Sequence, residues 1–197
     1  MIKRVFDFVF SASLLVVLFP FLVILAILVV ATSKGPLFIL QMRIGKNEQP
    51  FRLVKFRTMK PNSENLGLLT IGNRDDRVTK FGYFLRKYKL DELPQFWNVL
   101  KGEMSMVGPR PEVKKYVDLY TPEQRQVFAV KPGITDVSSL YFWNESDLLA
   151  QQENPENYYI TTILPQKLDM SLSYQKSATF RSDLGIIFKT IKSFFSR

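Results

Sequence analysis

The sequence predicts a mainly α protein with one small β-hairpin, a single globular domain carried on an N-terminal apolar helix. Three observations predict it. Residues 8–33 carry no charge and few polar side chains. Beyond them, apolar residues recur chiefly at helical spacing, as in 78–88, 91–100 and 184–195. Only residues 37–59 alternate in the way a half-buried strand pair does. The 197 residues leave room for one modest domain and an appendage.

The apolar segment FVFSASLLVVLFPFLVILAILVVATS, Phe8 to Ser33, runs 26 residues. As a straight helix it would reach ~39 Å, enough for a hydrocarbon core of ~30 Å. A cleaved signal peptide would be shorter and would end in a small-residue cleavage pattern, which is not seen. Pro20 sits near the middle, where it removes a backbone hydrogen bond and kinks the helix. General sequence logic favours a kinked span. The alternative turns the chain back at Pro20, leaving halves of ~18 Å or less, too short to cross. Lys3 and Arg4 precede the segment and Lys34, Arg43 and Lys46 follow it. The positive-inside rule is satisfied at both ends only by the second form. Both forms place residues 34–197 in the cytoplasm.

Charge and composition narrow the chemistry. The 27 Lys and Arg against 18 Asp and Glu give a formal +9. That excess is concentrated early, with nine basic and two acidic residues in 1–60 and eight of each in 121–197. A basic end beside a long apolar run suits an anionic membrane surface. No motif that reads DNA or RNA is present, so no nucleic-acid partner is expected. The chain has no Cys and no His, which removes disulfides, Cys/His zinc sites, thiol nucleophiles and imidazole chemistry together. An enzyme built from it must work with carboxylates, Lys and Arg clamps, hydroxyls or an oxygen-bound metal.

After Gly35-Pro36, the runs 37-LFILQMRIG-45 and 51-FRLVKFRTM-59 flank the turn-like KNEQP. Leu40, Met42 and Ile44 alternate with Gln41 and Arg43, which predicts a strand with the apolar set inward. Lys55 and Arg57 share one face of the second strand, Val54 and Phe56 the other. Pro61, Asn62, Ser63, Gly67, Gly72 and Asn73 punctuate a loop over 60–76. Val78, Phe81, Phe84, Leu85 and Tyr88 then predict an amphipathic helix with Lys80, Arg86, Lys87 and Lys89 along it.

That helix leads into 89-KLDELPQFW-97. Leu93, Phe96, Trp97 and Leu100 fit one helical face, with Pro94 in the first turn and Gly102 as the stop. Asp91 is then expected at an N-cap. A cap needs one carboxylate, and Glu92 is a second. A helix N-terminus also favours negative charge, so an ionised Asp and a phosphate can sit there together. In 105-SMVGPRP-111 prolines on both sides of Arg110 restrict its backbone and aim its guanidinium, a group suited to bidentate phosphate contact. Thr121-Pro122-Glu123-Gln124 is a capping box, and Lys131-Pro132-Gly133-Ile134 a break and turn. Residues 145–157 look acidic and loop-like. In the tail, Leu184, Ile187, Phe188, Ile191 and Phe195 form one stripe with Lys189 and Lys192 off it, which predicts a helix in the membrane interface or packed on the domain. The chain therefore divides into an apolar helix over 1–33, a domain over 34–180 and an amphipathic interfacial helix over 181–197.

KRVFD (3–7), the Pro-broken apolar helix, QMRIG (41–45), FRLVKFRTM (51–59), RDDRVTKFGYFLR (74–86), LDELPQFWNVLKGEMSMVGPRP (90–111) and KPGIT (131–135) occur in that order. Together they resemble the bacterial sugar transferases, monotopic phosphoglycosyl transferases, over most of the chain. The combination of LDELPQ, NVLKGEMS and VGPRP is far more specific than a lone glycine motif. The resemblance implies an enzyme of the bacterial inner membrane, with its catalytic domain in the cytoplasm. It would move a sugar-1-phosphate from a UDP-sugar to polyprenyl phosphate, release UMP, and so initiate surface glycan assembly.

By the same resemblance, Asp91 is the nucleophile that forms a phosphosugar-aspartate, and Glu92 is associated with Mg2+. Arg86 and Arg110 are phosphate contacts, Arg86 for the lipid phosphate; Lys55, Arg57 and Arg43 are weaker candidates. Lys3, Arg4 and Asp7 fix the placement of the membrane helix, which in the family is re-entrant and breaks at the proline matching Pro20. Membrane phospholipids are further partners, and a homo-oligomer stays open. Covalent carboxylate catalysis also suits a chain without His or Cys.

Two departures stand out. Phe19 precedes Pro20 where many members have Ser. Residues Asp136 to Asn144, DVSSLYFWN, replace the common run GWAQVNGRN, with Trp143 in place of its Arg. Trp143 and Tyr141 could stack on a nucleotide or sugar ring, or belong to the core. An N-acetylated amino sugar is the expected donor. The competing reading is a catalytically silent membrane scaffold that recruits glycan-assembly enzymes.

Overall fold

The structure is a computed structural model and describes residues 2–61, 63, 69, 71–72 and 75–195. The loop expected over 60–76 lies largely outside the described residues. The elements, in order, are α1 (Ile2–Thr32), β1 (Phe38–Ile44), β2 (Pro50–Phe56), α2 (Lys80–Lys87), α3 (Phe96–Lys101), β3 (Ser105–Val107), α4 (Lys114–Val117), β4 (Gly133–Thr135), α5 (Val137–Tyr141), α6 (Glu145–Ala150), α7 (Pro155–Tyr158), α8 (Leu164–Ser177) and α9 (Phe180–Phe195).

The break expected at Pro20 is not seen as an interruption: α1 runs through the proline as one helix of 31 residues. Among the described residues it is the one helix long and apolar enough to cross a membrane. A single stripe packs on the domain from end to end. Phe6, Phe10, Leu14 and Leu18 meet Phe96, Met106, Ile186 and Ile187. Leu22, Leu25, Ala26 and Val29 continue it against Phe56 and Leu85. Elsewhere on the helix, Val16 and Val17 are 74% and Phe19 65% exposed, a surface that water would not favour.

Polar side chains lock both ends of α1. Lys3 Nζ donates to Asp183 Oδ2 (2.5 Å) and Val107 O (3.2 Å). Arg4 donates to Val99 O (2.6 Å) and Leu100 O (2.8 Å) at the C-terminal turn of α3. Buried Asp7 accepts from Ser105 Oγ (2.8 Å) and Met106 N (3.1 Å). At the other end, buried Arg57 donates to the carbonyls of Val29, Ser33 and Pro36 and to Ser33 Oγ (2.9 Å).

β1 and β2 form the expected antiparallel hairpin, with Phe38 opposite Phe56, Leu40 opposite Val54 and Ile44 opposite Pro50. Its facing is the reverse of the expectation. Phe38, Leu40 and Met42 are exposed, whereas Gln41 and Arg43 turn inward. The partner strand explains this: Arg43 lies opposite Phe51 and Gln41 opposite Leu53, and these two buried residues pack with Val99 and Met104. The inward Arg43 is paired with Glu112 (2.8 Å). Asn98, fully buried, clamps β2 to α3 by accepting from Val54 N (3.1 Å) and donating to Arg52 O (2.8 Å).

The GPRP and KPGIT segments, expected as separate turns, meet as a parallel pair, with Ser105 opposite Gly133 and Val107 opposite Thr135. The approach demands glycine. A Cβ on Gly133 would lie 2.2 Å from Gly108 N, and one on Gly108 would lie 2.3 Å from Lys131 O.

A second core gathers Tyr116, Tyr120, Phe128, Leu149, Tyr159, Ile163 and Leu168 from α4, α6, α8 and the turns between them. The capping box forms as expected: Thr121 N donates to Gln124 Oε1 (3.0 Å) and Gln124 N to Thr121 Oγ1 (3.3 Å). It opens a 3-10 helix, Gln124–Ala129. Residues 145–157 are helical in two short pieces rather than loop-like, the second begun by Asn154 accepting from Asn157 N (3.0 Å). The tail helix packs on the domain by one side and leaves apolar residues exposed on another. Ile186 and Ile187 are buried on the domain, while Leu184, Phe188 and Ile191 are 40%, 68% and 47% exposed.

Candidate active site

The chain must turn sharply between α2 and α3, and it does so at Lys89. That residue is left-handed (φ 53°, ψ 21°). Its N–H donates to Arg86 O (3.1 Å) and its carbonyl accepts from Glu92 N (3.3 Å). A 3-10 turn, Leu90–Gln95, follows and runs into α3. Lys89, and not Asp91, therefore occupies the N-cap, and Asp91 is relieved of capping. The turn starts two residues before the expected cap because Lys89 adopts a backbone that side chains seldom take.

Asp91 is buried at 6% exposure, and among the described residues no donor hydrogen-bonds its carboxylate. Its neighbour is heavily committed. Glu92 Oε1 accepts from Lys55 Nζ (2.7 Å) and Arg110 Nη2 (2.6 Å), and Oε2 keeps only a long contact with Arg110 Nη1 (3.4 Å). Lys55 reaches Glu92 because it follows Phe51 and Leu53 on the inward side of β2. Arg110 reaches it because β3 and the β3–β4 pairing hold the GPRP turn, with Gly133 N donating to Pro109 O (3.0 Å).

The adjacent carboxylates are driven apart electrostatically. Burial pushes Asp91 above the ordinary aspartate value; Lys55 opposes this and Glu92 adds to it. Burial would raise Glu92 too, but Arg110 and Lys55 outweigh it and hold the carboxyl well below its ordinary value. Burial pushes Lys55 down, against the pull of Glu92. The result is one fixed anion in a cationic clamp beside one desolvated carboxylate with no hydrogen-bond donor among the described residues. Such a group can serve as a nucleophile toward an electrophile that brings its own charge compensation.

Of the other sequence candidates, Arg86 joins this cluster: its Nε donates to Thr58 Oγ1 (2.9 Å), and its charge favours the ionised form of Asp91. Trp143 is close by, its ring under the ammonium of Lys89 (5.3 Å to the centroid) and edge-on to Phe194 (5.2 Å). Arg57 does not join, since the end of α1 holds its guanidinium. Arg43 is held by Glu112 and Gln41 (both 2.8 Å). Lys3, Arg4 and Asp7 bind the helix to the domain, and Pro20 lies on its exposed stretch. Sequence reasoning missed Lys89 and Thr58 as parts of the cluster. Lys89 stands two residues before Asp91, but a left-handed lysine has no sequence signature.

A family model described as bacterial sugar transferase matches residues 1–197. The chain belongs to the bacterial sugar transferase family. It is 36% identical over 200 residues to a UDP-glucose:undecaprenyl-phosphate glucose-1-phosphate transferase of Klebsiella pneumoniae, covering 99% of this chain and 40% of that protein. It is 35% identical over 195 residues to a UDP-N-acetylgalactosamine-undecaprenyl-phosphate N-acetylgalactosaminephosphotransferase of Aeromonas hydrophila, covering 98% of this chain and 43% of that one. A putative undecaprenyl-phosphate N-acetylgalactosaminyl 1-phosphate transferase of Bacillus subtilis is 42% identical over 122 residues, 62% of this chain and 68% of its own. The chain thus spans about two-fifths of the length of the first two relatives. Relatives of similar identity carry different sugars in their names.

Proposed function

We propose that this protein is a membrane transferase that moves a sugar-1-phosphate from a UDP-sugar to a polyprenyl phosphate, releasing UMP. The observation that carries the proposal is the buried carboxylate of Asp91, which takes no hydrogen bond among the described residues, beside the clamped Glu92. The named relatives supply the substrate classes. In the first step an Asp91 oxygen attacks the β-phosphorus of the donor. The bond from that phosphorus to the oxygen bridging the α-phosphate breaks, and UMP leaves with the electron pair. In the second, an oxygen of polyprenyl phosphate attacks the same phosphorus, the aspartyl bond breaks, and the carboxylate is restored.

Arg110, Lys55 and Arg86 offset the repulsion between the carboxylates and the incoming phosphates. Mg2+ fits Glu92 as a substrate-carried ion. Glu92 Oε2 is only weakly engaged, and Mg2+ is commonly held by one or two carboxylates plus phosphate oxygens. Among the described residues no cluster of three acidic side chains offers a complete cage. When bound, the ion would neutralise diphosphate charge.

The membrane topology we infer is re-entrant, in the inner membrane with the domain in the cytoplasm and the product feeding surface glycan assembly. A helix crossing the bilayer would carry one end far from a domain on the other side. Here the first turn binds Val99, Leu100 and Ser105 through Arg4 and Asp7, and the last turn is held by Arg57.

The test is UMP release by the protein in nanodiscs, with Mg2+, polyprenyl phosphate and a panel of UDP-sugars. Release with a particular sugar is expected, together with a phosphosugar mass adduct when the acceptor is omitted; both are absent in Asp91→Asn. No release from folded protein across the panel, or persistent release in Asp91→Asn, would overturn the proposal and favour the scaffold.

A further inference from the structure

We propose that Lys89 is a donor-site cation that rests on the ring of Trp143 and leaves it to take the diphosphate of the incoming nucleotide sugar. The inference rests on the transferase reading above. Lys55 and Arg110 are both tied to Glu92. Lys89 is not: among the described residues its ammonium meets no carboxylate within ion-pair distance, and it lies over the indole ring. A cation held by a ring is released at less cost than one held by a buried carboxylate. The left-handed backbone at Lys89 is also what begins the turn presenting Asp91, so the side chain and the nucleophile are positioned together.

Charge balance points the same way. Lys55, Arg86, Lys89 and Arg110 surround Asp91 and Glu92, an excess of two positive charges. That excess favours an anionic ligand, and a diphosphate diester is one. Burial lowers the proton affinity of Lys89 while Glu92 pulls it back up, as expected of a desolvated ammonium that would gain from a second anion. Trp143 then acts as a positioning residue. It carries Lys89 on its ring and meets Phe194 in a T-shaped contact, so two neighbours fix its place beside the turn.

The chain has two tryptophans, so in a Trp97→Phe background Trp143 is its only tryptophan and is read by selective tryptophan excitation. With the full chain in nanodiscs, titration with UDP and Mg2+ is expected to change its emission saturably, and Lys89→Met to abolish that change. Lys89→Met should raise the KM for the UDP-sugar about tenfold, the scale of one charge-assisted hydrogen bond, with kcat within about twofold. Lys89→Arg should restore most of it, and Trp143→Phe should keep KM closer to the parent than Trp143→Ala does.

The proposal is overturned if calorimetry shows UDP binding without a Trp143 response. It is also overturned if Lys89→Met lowers kcat at unchanged KM, which would make Lys89 only a counter-charge to the two carboxylates. If Lys89→Met fails to fold, Lys89→Gln carries the same comparison. A Trp143 response to UDP in a protein that never releases UMP would remove the transferase reading and leave the Lys89 contact standing.

Discussion

Replacing Arg57 with methionine removes a buried guanidinium and leaves the end of α1 without its donors. Arg57 is 3% exposed, and its donors serve the carbonyls of Val29, Ser33 and Pro36 as well as the Ser33 hydroxyl. Methionine fills the volume of the stem, so the loss is in hydrogen bonding. Each carbonyl loses a charge-assisted bond, and water can replace part of it, so about 1 kcal/mol apiece and about 3 kcal/mol in all is expected. For a chain of this size that corresponds to a fall in Tm of about 6–12 °C. The assay is thermal unfolding in nanodiscs, followed by intrinsic fluorescence, with UMP-release kinetics on the same preparation below the transition. The expected outcome is a large drop in Tm with the KM for donor nearly unchanged. An unchanged Tm with a raised KM would refute the reasoning and return Arg57 to the substrate-binding set where the sequence pattern put it.

Asp7→Ala should destabilise by about 3 kcal/mol, because it strands the Met106 N–H and the Ser105 hydroxyl in a buried setting. Asp7→Asn, which keeps an acceptor, should cost clearly less in the same melt. Burial opposes the charge of Glu112, but Arg43, Lys167 and the Tyr159 hydroxyl outweigh it and hold the carboxyl below its ordinary value of 4.5. Its contribution is therefore complete above about pH 4.5 and lost as pH falls through the lower folded value. Glu112→Gln should cost about 3 kcal/mol at pH 7 by orphaning Arg43, and the Tm gap to the parent should close as pH falls below 4.5; a gap independent of pH would refute this. The chain has no cysteine, so single spin labels are direct to place. A nitroxide at 188 or 191 in liposomes should be reached by oxygen and shielded from an aqueous relaxation agent, with the reverse at 189. Aqueous accessibility at 188 and 191 would sink the interfacial reading of α9.

Much of the local structure was legible in the sequence because its causes are local. Alternation and KNEQP gave the hairpin, Thr121 and Gln124 gave a capping box, and the apolar spacing from Val78 to Tyr88 gave α2. The adjacency of Asp91 and Glu92 drew attention to the right turn. What stayed hidden depends on partners far along the chain. The facing of β1 is decided by Phe51, Leu53 and Glu112, and apolar residues were left outward where a soluble protein would bury them. The three-residue pair β3–β4 is too short to show as strands and is made by two glycines meeting. α8 was not anticipated: its buried residues Leu164, Leu168 and Ser171 make too narrow a stripe, and Pro165 in its first turn reads as a break. The basic residues looked interchangeable in sequence, and only their acceptors separate Lys55 and Arg110 from Arg43 and Arg57.

The polar residues at the start of α1 bear on biogenesis. The partner of Asp7 at Ser105 lies 98 residues along, and that of Lys3 at Asp183 lies 180 residues along. During synthesis the apolar helix emerges before the domain that holds those partners, so both side chains are still unmatched at that stage. The domain in turn lacks the apolar stripe that completes two of its cores until that helix is in place. Completion of those cores therefore waits on the helix, and excising it to obtain a water-soluble fragment would remove part of the protein's interior.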